Sequence, residues 1–177
     1  MLNKKIFIAA GAAVLVGAVV ITVALANGSA TPKNTSNSDL FVLDQLANAL
    51  PSALPTFGWN DNVLGSASPT KQAALSCPEA STSTGVFVSK RGDERNVAAW
   101  LASGESAFYM DTKTVFLPNL KLSGMISGNP NFVKATGGDW SLGVACLKSN
   151  SSQILAVDYR FIHVTAGSGD WMLLPIE

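Results

Sequence analysis

The sequence predicts a mainly β protein: an antiparallel β-sandwich held by one disulfide and preceded by an N-terminal membrane helix. Three observations predict this fold class. A run of twenty-one uncharged residues lies at positions 6–26. From about residue 68 onward, short apolar or alternating stretches are separated by Gly, Asn, Pro, Asp and Ser, which is typical of strands and turns. The two cysteines of the chain, Cys77 and Cys146, both lie beyond the apolar run.

The apolar run at residues 6–26 is long enough to cross a bilayer. As a helix it would span about 31 Å, the hydrocarbon thickness of a membrane. Lys4 and Lys5 precede it, and positive charge is retained on the cytoplasmic side. The length favours an uncleaved signal anchor, while Ala24 and Ala26 leave open a signal peptide cleaved near Ala26. We therefore expect a single-pass cell-membrane protein with its N-terminus inside and its C-terminal domain extracellular, or a secreted protein.

Two segments connect this run to the β domain. Residues 27–39 are rich in Gly, Ser, Thr and Asn, and a stretch with so little apolar surface is predicted to be a flexible linker. Residues 40–56 are predicted to hold a short amphipathic helix and a connector, because leucines recur there at helical spacing. Ser38 or Asp39 can cap the start of that helix. The β domain is expected over residues 57–177.

Nine segments are predicted to form the strands of that domain: residues 72–77, 85–90, 96–101, 107–110, 114–122, 131–135, 140–147, 153–165 and 171–176. Only the stretch 96–101 is compatible with a helix instead, and no other segment past residue 56 shows a useful helical period. The domain is therefore expected to be nearly all strand and turn.

The alternation within two of these segments predicts which side chains face the core. In one of them the apolar side chains fall on alternate positions: Trp140, Leu142, Val144 and Cys146. Gly143 and Ala145 would then form a flat, lightly covered outer face. In the segment 153–165 the apolar positions shift after Phe161, which predicts a bulge or a change of partner there.

Cys77 and Cys146 are predicted to form a disulfide. Two cysteines outside the cytoplasm normally pair. The loop that they close has about 69 residues, so the chain-entropy model gives a stabilisation of about 4 kcal/mol. Two free thiols or an intermolecular disulfide are the alternatives.

A disulfide from an early to a late strand, across a sandwich of about 100 residues, resembles the immunoglobulin-like fold. The run GGDWSLGVACL at 137–147, followed by a strand pair and VTAGSGDW, is similar to the C-terminal part of Ig-like domains on the surface of Gram-positive actinobacteria. The resemblance covers residues 70–177 and implies a spacer or binding module without chemistry of its own. The antibody pattern is not matched at Val144, where a corner tyrosine would stand, or at Trp100, 23 residues after Cys77.

Few residue patterns point to chemistry. His163 is the only histidine, and no nucleophile-elbow motif or glycine-rich phosphate loop accompanies it. The turns at 60–62 and 169–170 carry oxygen ligands suited to calcium, but such turns are typically Asx-turns. No catalytic residue, metal site or cofactor is therefore predicted. The twelve acidic residues balance the twelve basic ones, which gives no basis for nucleic-acid binding.

The candidate ligand contacts are Trp59, Trp171, Arg91 and Asp93. Both tryptophans lie in turn-rich sequence, where exposure is expected, and exposed aromatic rings suit sugars. Arg91 and Asp93 belong to an RGD sequence, which reads either as an integrin-binding loop or as a charged, solvated turn. The sequence thus predicts a non-enzymatic, membrane-tethered extracellular surface module for adhesion, envelope architecture or partner binding, with an unknown protein or carbohydrate ligand. The alternatives are a carbohydrate-binding β-sandwich, a secreted hydrolase and a pilin-like subunit.

Overall fold

A computed structural model describes residues 35–51, 55–148 and 153–175 of the chain. Within these ranges the protein is mainly β with antiparallel pairing, as predicted, and it adds one short α-helix and two 3-10 turns. The predicted membrane helix at 6–26 lies outside the described residues. In the part of the chain that is described, we find no helix with the length and apolar character needed to cross a membrane.

The described residues form eleven strands, one helix and the two 3-10 turns. The strands are β1 (Phe41–Leu43), β2 (Thr56–Phe57), β3 (Leu64–Ser66), β4 (Leu75–Ser76), β5 (Ser83–Ser89), β6 (Ala102–Glu105), β7 (Thr114–Val115), β8 (Ser127–Gly128), β9 (Gly138–Lys148), β10 (Gln153–Val164) and β11 (Trp171–Leu173). The helix α1 spans Pro130–Thr136, and the 3-10 turns span Val97–Ala99 and Leu122–Gly124. Seven strands form one sheet in the order β2-β11-β10-β9-β5-β6-β8, while β1–β3 and β4–β7 form separate pairs.

Both faces of the central sheet are covered. One face packs against side chains of β1, β4, β7 and α1. This main core includes the four β9 side chains that were predicted to point inward: Trp140, Leu142, Val144 and Cys146. The opposite face carries a second apolar cluster, made of Phe87, Ala145, Val157, Tyr159 and Phe161. The prediction of a lightly covered outer face at Gly143 and Ala145 is therefore wrong.

Coverage on both faces also explains the apolar positions beyond Phe161. Ile162 and Val164 point into the main core while Phe161 points into the second cluster. The strand keeps its alternation there, so the predicted bulge after Phe161 is absent from β10. The alternative prediction, a change of partner, is confirmed, because β11 pairs with β10 only from Ile162 to Val164. The one register shift between β9 and β10 lies between Ile154 and Ala156. A strand buried on both faces reads as a nearly continuous apolar run, and this hides its alternation in the sequence.

The predicted disulfide is confirmed. Cys77 directly follows β4, and Cys146 lies near the end of β9, with 5.7 Å between their Cα atoms. Because β4 belongs to a separate two-stranded pair, the bridge joins that pair to the centre of the main sheet. No free cysteine remains.

The predicted amphipathic helix at residues 40–56 is absent from the described part of that segment. Leu40 and Leu43 are fully buried in and beside the strand β1. The chain then turns, because the Asp44 carboxylate accepts hydrogen bonds from the backbone N–H groups of Leu46 and Asn48, each at 2.8 Å. Such Asx-type bonding competes with helix formation, and it leaves Leu46 exposed.

The segment predicted as a strand at 131–135 is the helix α1. Asn129 caps it by accepting a hydrogen bond from the backbone N–H of Phe132. Pro130 occupies the first turn, and Gly137 ends the helix with a positive φ of 62°. These are the ordinary start and stop signals of a short helix. The stretch 96–101 is likewise no strand. A helix was the alternative there, and the stretch contains the 3-10 turn Val97–Ala99.

Residues 27–39 were predicted to be a flexible linker. That prediction is wrong for residues 35–39, which form an arm bonded to the sheet, while residues 27–34 lie outside the described residues. This arm runs along the edge of β10: the Asn37 N–H donates to the Val157 carbonyl at 2.8 Å, and its Oδ1 accepts from the Val157 N–H at 2.8 Å. The Oγ of Ser36 accepts from the Tyr159 N–H. Polar side chains here satisfy the backbone of a strand that β11 does not reach.

Candidate functional site

The structure buries both tryptophans that were predicted to be exposed. Trp59 is 8% and Trp171 is 1% exposed. Trp171 points inward from β11 and packs on Phe57, with 4.6 Å between the ring centroids. The ring of Trp59 packs over Gly169, where an added Cβ would lie 2.8 Å from it. Turn-rich sequence around a tryptophan therefore does not imply that its ring is exposed, and neither ring is presented to a ligand.

The RGD sequence forms a turn whose arginine side chain lies flat against the protein. The Arg91 guanidinium lies over the Phe161 ring, 4.1 Å from its centroid. One of its nitrogens lies 3.7 Å from an Asp139 carboxylate oxygen, and the side chain is only 16% exposed. Asp93 is partly exposed in the same turn. Arg91 thus covers the second apolar cluster instead of projecting from the surface.

A buried carboxylate that the sequence did not single out organises this turn. Glu94 is 2% exposed. Its two oxygens accept hydrogen bonds from the Gly92 N–H, at 2.9 and 3.0 Å, and one of them accepts from the Ser141 hydroxyl at 2.6 Å. The Trp100 indole N–H donates to the Glu94 backbone carbonyl. In the sequence the run DERN reads as a solvated turn, so no pattern there marks Glu94 as buried.

We expect Glu94→Ala to lower the free energy of unfolding by about 2–4 kcal/mol. The substitution removes the hydrogen bonds that the carboxylate accepts from two donors, the Gly92 N–H and the Ser141 hydroxyl. It leaves the Ser141 hydroxyl buried without its acceptor. Glu94→Gln keeps an oxygen acceptor and should cost less. Urea unfolding followed by tryptophan fluorescence measures both changes. Asp93→Ala is the control from the same turn and should stay near the wild type, and a Glu94→Ala loss no larger than that of the control would contradict this account.

The lone histidine is part of a carboxylate–histidine pair. The Nδ1 atom of His163 lies 2.7 Å from an Asp139 oxygen, and both side chains are about half exposed. A catalytic triad would require a nucleophile hydrogen-bonded to the other ring nitrogen. The serine on the same face of β9, Ser141, is buried and donates to Glu94 instead. Among the described residues no serine hydroxyl is hydrogen-bonded to His163.

A second buried carboxylate holds the N-terminal arm. One oxygen of Asp158 accepts hydrogen bonds from the backbone N–H and the hydroxyl of Ser38, at 2.9 and 2.8 Å. Burial raises the pKa of Asp158 above its ordinary value, although the Ser38 hydrogen bonds and the charge of Arg95 act in the opposite direction. Arg95 also donates to the backbone carbonyl of Thr35 and to the side chain of Asn37. The arm is therefore fastened to charged groups at both of its ends.

The free energy of unfolding of Asp158→Asn, relative to that of the wild type, should increase as the pH rises. A raised pKa means that the folded state binds the proton more tightly than the unfolded state, so the wild type loses stability as pH rises from below the unfolded pKa through the folded pKa. Asparagine keeps an acceptor for Ser38 but carries no charge. We expect the unfolding free energy of the variant minus that of the wild type to be larger at pH 7 than at pH 3, by urea titration. A difference that falls with pH would contradict the burial of this charge.

An open groove of about 560 Å³ lies beside β6, and we call it the front groove. Its apolar lining consists of Val97, Trp100, Phe108, Met110, Ile126 and Leu147. Ile126 is 84% exposed and Met110 is 49% exposed. Glu105 is the one charged residue among the described residues that line it. Large apolar side chains that remain exposed together typically mark an interaction surface.

Only the tertiary structure assembles the front groove. Its lining comes from strands and turns that are far apart in the chain, and the 3-10 turn at Val97–Ala99 brings Trp100 to its wall. The Trp100 ring stacks on Phe87 of the second apolar cluster, with 4.6 Å between the centroids and 10° between the planes. None of the ligand contacts that the sequence suggested lines this groove.

Comparison with protein-family models, with curated proteins and with solved structures finds no match to this chain.

Proposed function

We propose that the chain is a non-enzymatic, membrane-tethered module at the outer face of the cell that binds a protein partner. The front groove carries this proposal, because it combines exposed apolar side chains with a single charge in an open cleft. The apolar run at 6–26 supplies the tether in this proposal. The disulfide supports a location outside the cytoplasm, where cysteine pairs persist. The Ig-like resemblance stays a prediction that agrees with this role.

A protein ligand fits the front groove better than a sugar. Sugar binding through aromatic platforms needs exposed ring faces. Trp59, Trp140 and Trp171 are buried, and one face of the Trp100 ring is occupied by Phe87. Beside Trp100 and Phe108, the groove offers the aliphatic and thioether side chains of Val97, Met110, Ile126 and Leu147, which suit the apolar side chains of a polypeptide.

Site-specific photo-crosslinking in intact cells tests this proposal. The photoreactive residue p-benzoyl-phenylalanine replaces Ile126 in the full chain, and a matched control places it at Leu46, which is 74% exposed but lines no described groove. We expect a discrete crosslinked protein at position 126 and none at position 46. Protease added outside the cells should degrade the product. Equal crosslinking at both positions, no product at 126 or full protection from the protease would contradict the proposal.

A further inference from the structure

The outer edge of the central sheet is only half covered. The strand β8 pairs with β6 at Ala102 and Ser103 and extends no further. Gly104 and Glu105 pair with β5 on their inner side, and among the described residues no strand pairs with their outer side. An uncovered strand edge offers unpaired backbone N–H and C=O groups. This uncovered stretch of β6 is hereafter called the open edge.

The backbone polar groups of Glu105 point away from the sheet at this open edge. Along a strand, the N–H and C=O groups of successive residues point to opposite sides. The Ser106 N–H donates inward, to the Thr84 carbonyl of β5, and the Leu101 carbonyl accepts outward, from the Asn129 N–H. Glu105 directly precedes Ser106, so its N–H and C=O lie on the outer side of β6, where another strand can pair with them. The Leu101 carbonyl has the same outward direction, although the Leu101 N–H, at the start of the strand, donates inward to the Val88 carbonyl.

A second, smaller groove lies on the opposite face of the same edge. This rear groove has a volume of about 260 Å³ and is lined by Val86, Asn119, Lys121 and Met125, among others. Gly104, Glu105 and Ile126 line both grooves. The side chains of a strand alternate between the two faces of a sheet. A strand added to the open edge would therefore place successive side chains in the front and rear grooves in turn.

We propose that the partner contributes an extended segment that adds as a strand to the open edge of β6. This proposal rests on the proposed function, the binding of a protein partner. The segment alternates apolar side chains between the two grooves and carries a Lys or Arg opposite Glu105. Gly104 has no side chain at the edge, which lets the incoming backbone approach closely.

The negative charge of Glu105 favours a partner segment with a basic residue over a second copy of this chain. Two copies that paired their open edges would place both Glu105 carboxylates on one short ladder, and like charges there oppose pairing. A basic residue in the partner segment meets the opposite charge instead. In strand addition, main-chain hydrogen bonds supply affinity and the pockets for alternate side chains supply specificity. Both requirements are met at the open edge.

Peptide display on the full chain in detergent micelles tests the proposal. The probe is a library of hexapeptides randomised at every position, and the affinity of an enriched peptide is then measured by fluorescence anisotropy. We expect enriched sequences to alternate apolar residues and to carry one Lys or Arg. Replacing that basic residue with Glu should weaken binding roughly threefold or more, the size expected for a surface charge pair. Glu105→Lys should reverse the preference, whereas Glu79→Lys, a control at another exposed carboxylate, should leave it unchanged.

Glu105→Pro tests the main-chain part of the proposal, because proline lacks the outward N–H but is tolerated at a strand edge. Relative to Glu105→Ala, which also lacks the carboxylate but keeps the N–H, it should weaken the enriched peptides about tenfold or more, which corresponds to one lost hydrogen bond or slightly more. If the proline variant does not fold, the charge reversal with Glu105→Lys decides the question. Failure to enrich alternating peptides, or binding that neither Glu105 variant affects, would overturn strand addition. Crosslinking at position 126 together with such a failure would leave the binding module intact and reject only strand addition.

Discussion

The double variant Cys77→Ala/Cys146→Ala is expected to lose about 4 kcal/mol of unfolding free energy, because the bridge closes a loop of 69 residues. This is a large share of the roughly 5–15 kcal/mol that stabilises a domain. The loss arises mainly in the unfolded chain, which gains conformational freedom when the cross-link is removed. In the folded chain, the pair β4–β7 loses its covalent tie to the central sheet.

Urea unfolding followed by far-UV circular dichroism measures this effect. The wild type treated with a reducing agent should approach the midpoint of the double variant, and the untreated wild type should unfold at a higher urea concentration. An unreduced wild type that unfolds at the same midpoint as the double variant would show that the disulfide contributes no stability.

Gly143→Ala is expected to lower the unfolding free energy by about 3 kcal/mol, the upper part of the range for overpacked cores. Gly143 lies in β9, between Phe87 of β5 and Tyr159 of β10. An added Cβ would lie 2.7 Å from the Phe87 ring, 2.7 Å from the Tyr159 Cβ and 2.8 Å from the Asp158 carbonyl oxygen. Because β9 is paired on both sides, its backbone cannot shift away from these atoms without disturbing both neighbouring strands.

A glycine in a less crowded strand supplies the control for this prediction. At Gly104 an added Cβ would lie 3.5 Å from its nearest neighbour, Val86, which is an ordinary contact. We expect Gly104→Ala to be neutral or slightly stabilising, because alanine restricts the unfolded chain more than glycine does. Equal unfolding free energies for the two variants would contradict this prediction. They would show that the Phe87 and Tyr159 side chains can move to accommodate an added methyl group at Gly143.

The long hairpin and the disulfide could be predicted from local information. The strands β9 and β10 have long runs of apolar and β-branched residues bounded by a glycine turn and a polar loop, so their existence depends on few distant contacts. The cysteine pairing followed from the count of cysteines and from the expected compartment. The segments around Asp44 and Asn129 were predicted wrongly, because single side chains that bond to the backbone outweighed the apolar periodicity there.

The candidate site could not be predicted in the same way. Glu94 is buried because the Gly92 N–H and the Ser141 hydroxyl converge on its carboxylate, and Ser141 is 47 residues away in the chain. Trp59 and Trp171 are buried because distant residues cover them. Burial of this kind is a property of the whole arrangement and leaves no local pattern.

By itself, then, the amino-acid sequence determined the antiparallel β character, the cysteine pair and the inward-facing side chains of β9, since each depends on alternation or on residue counts. Only the tertiary structure decided that the second face of the sheet is covered, that β8 stops short beside β6, and that apolar side chains from separate strands and turns meet at that edge. The physical reason is that a groove or an open strand edge exists only through the packing of segments distant in the chain.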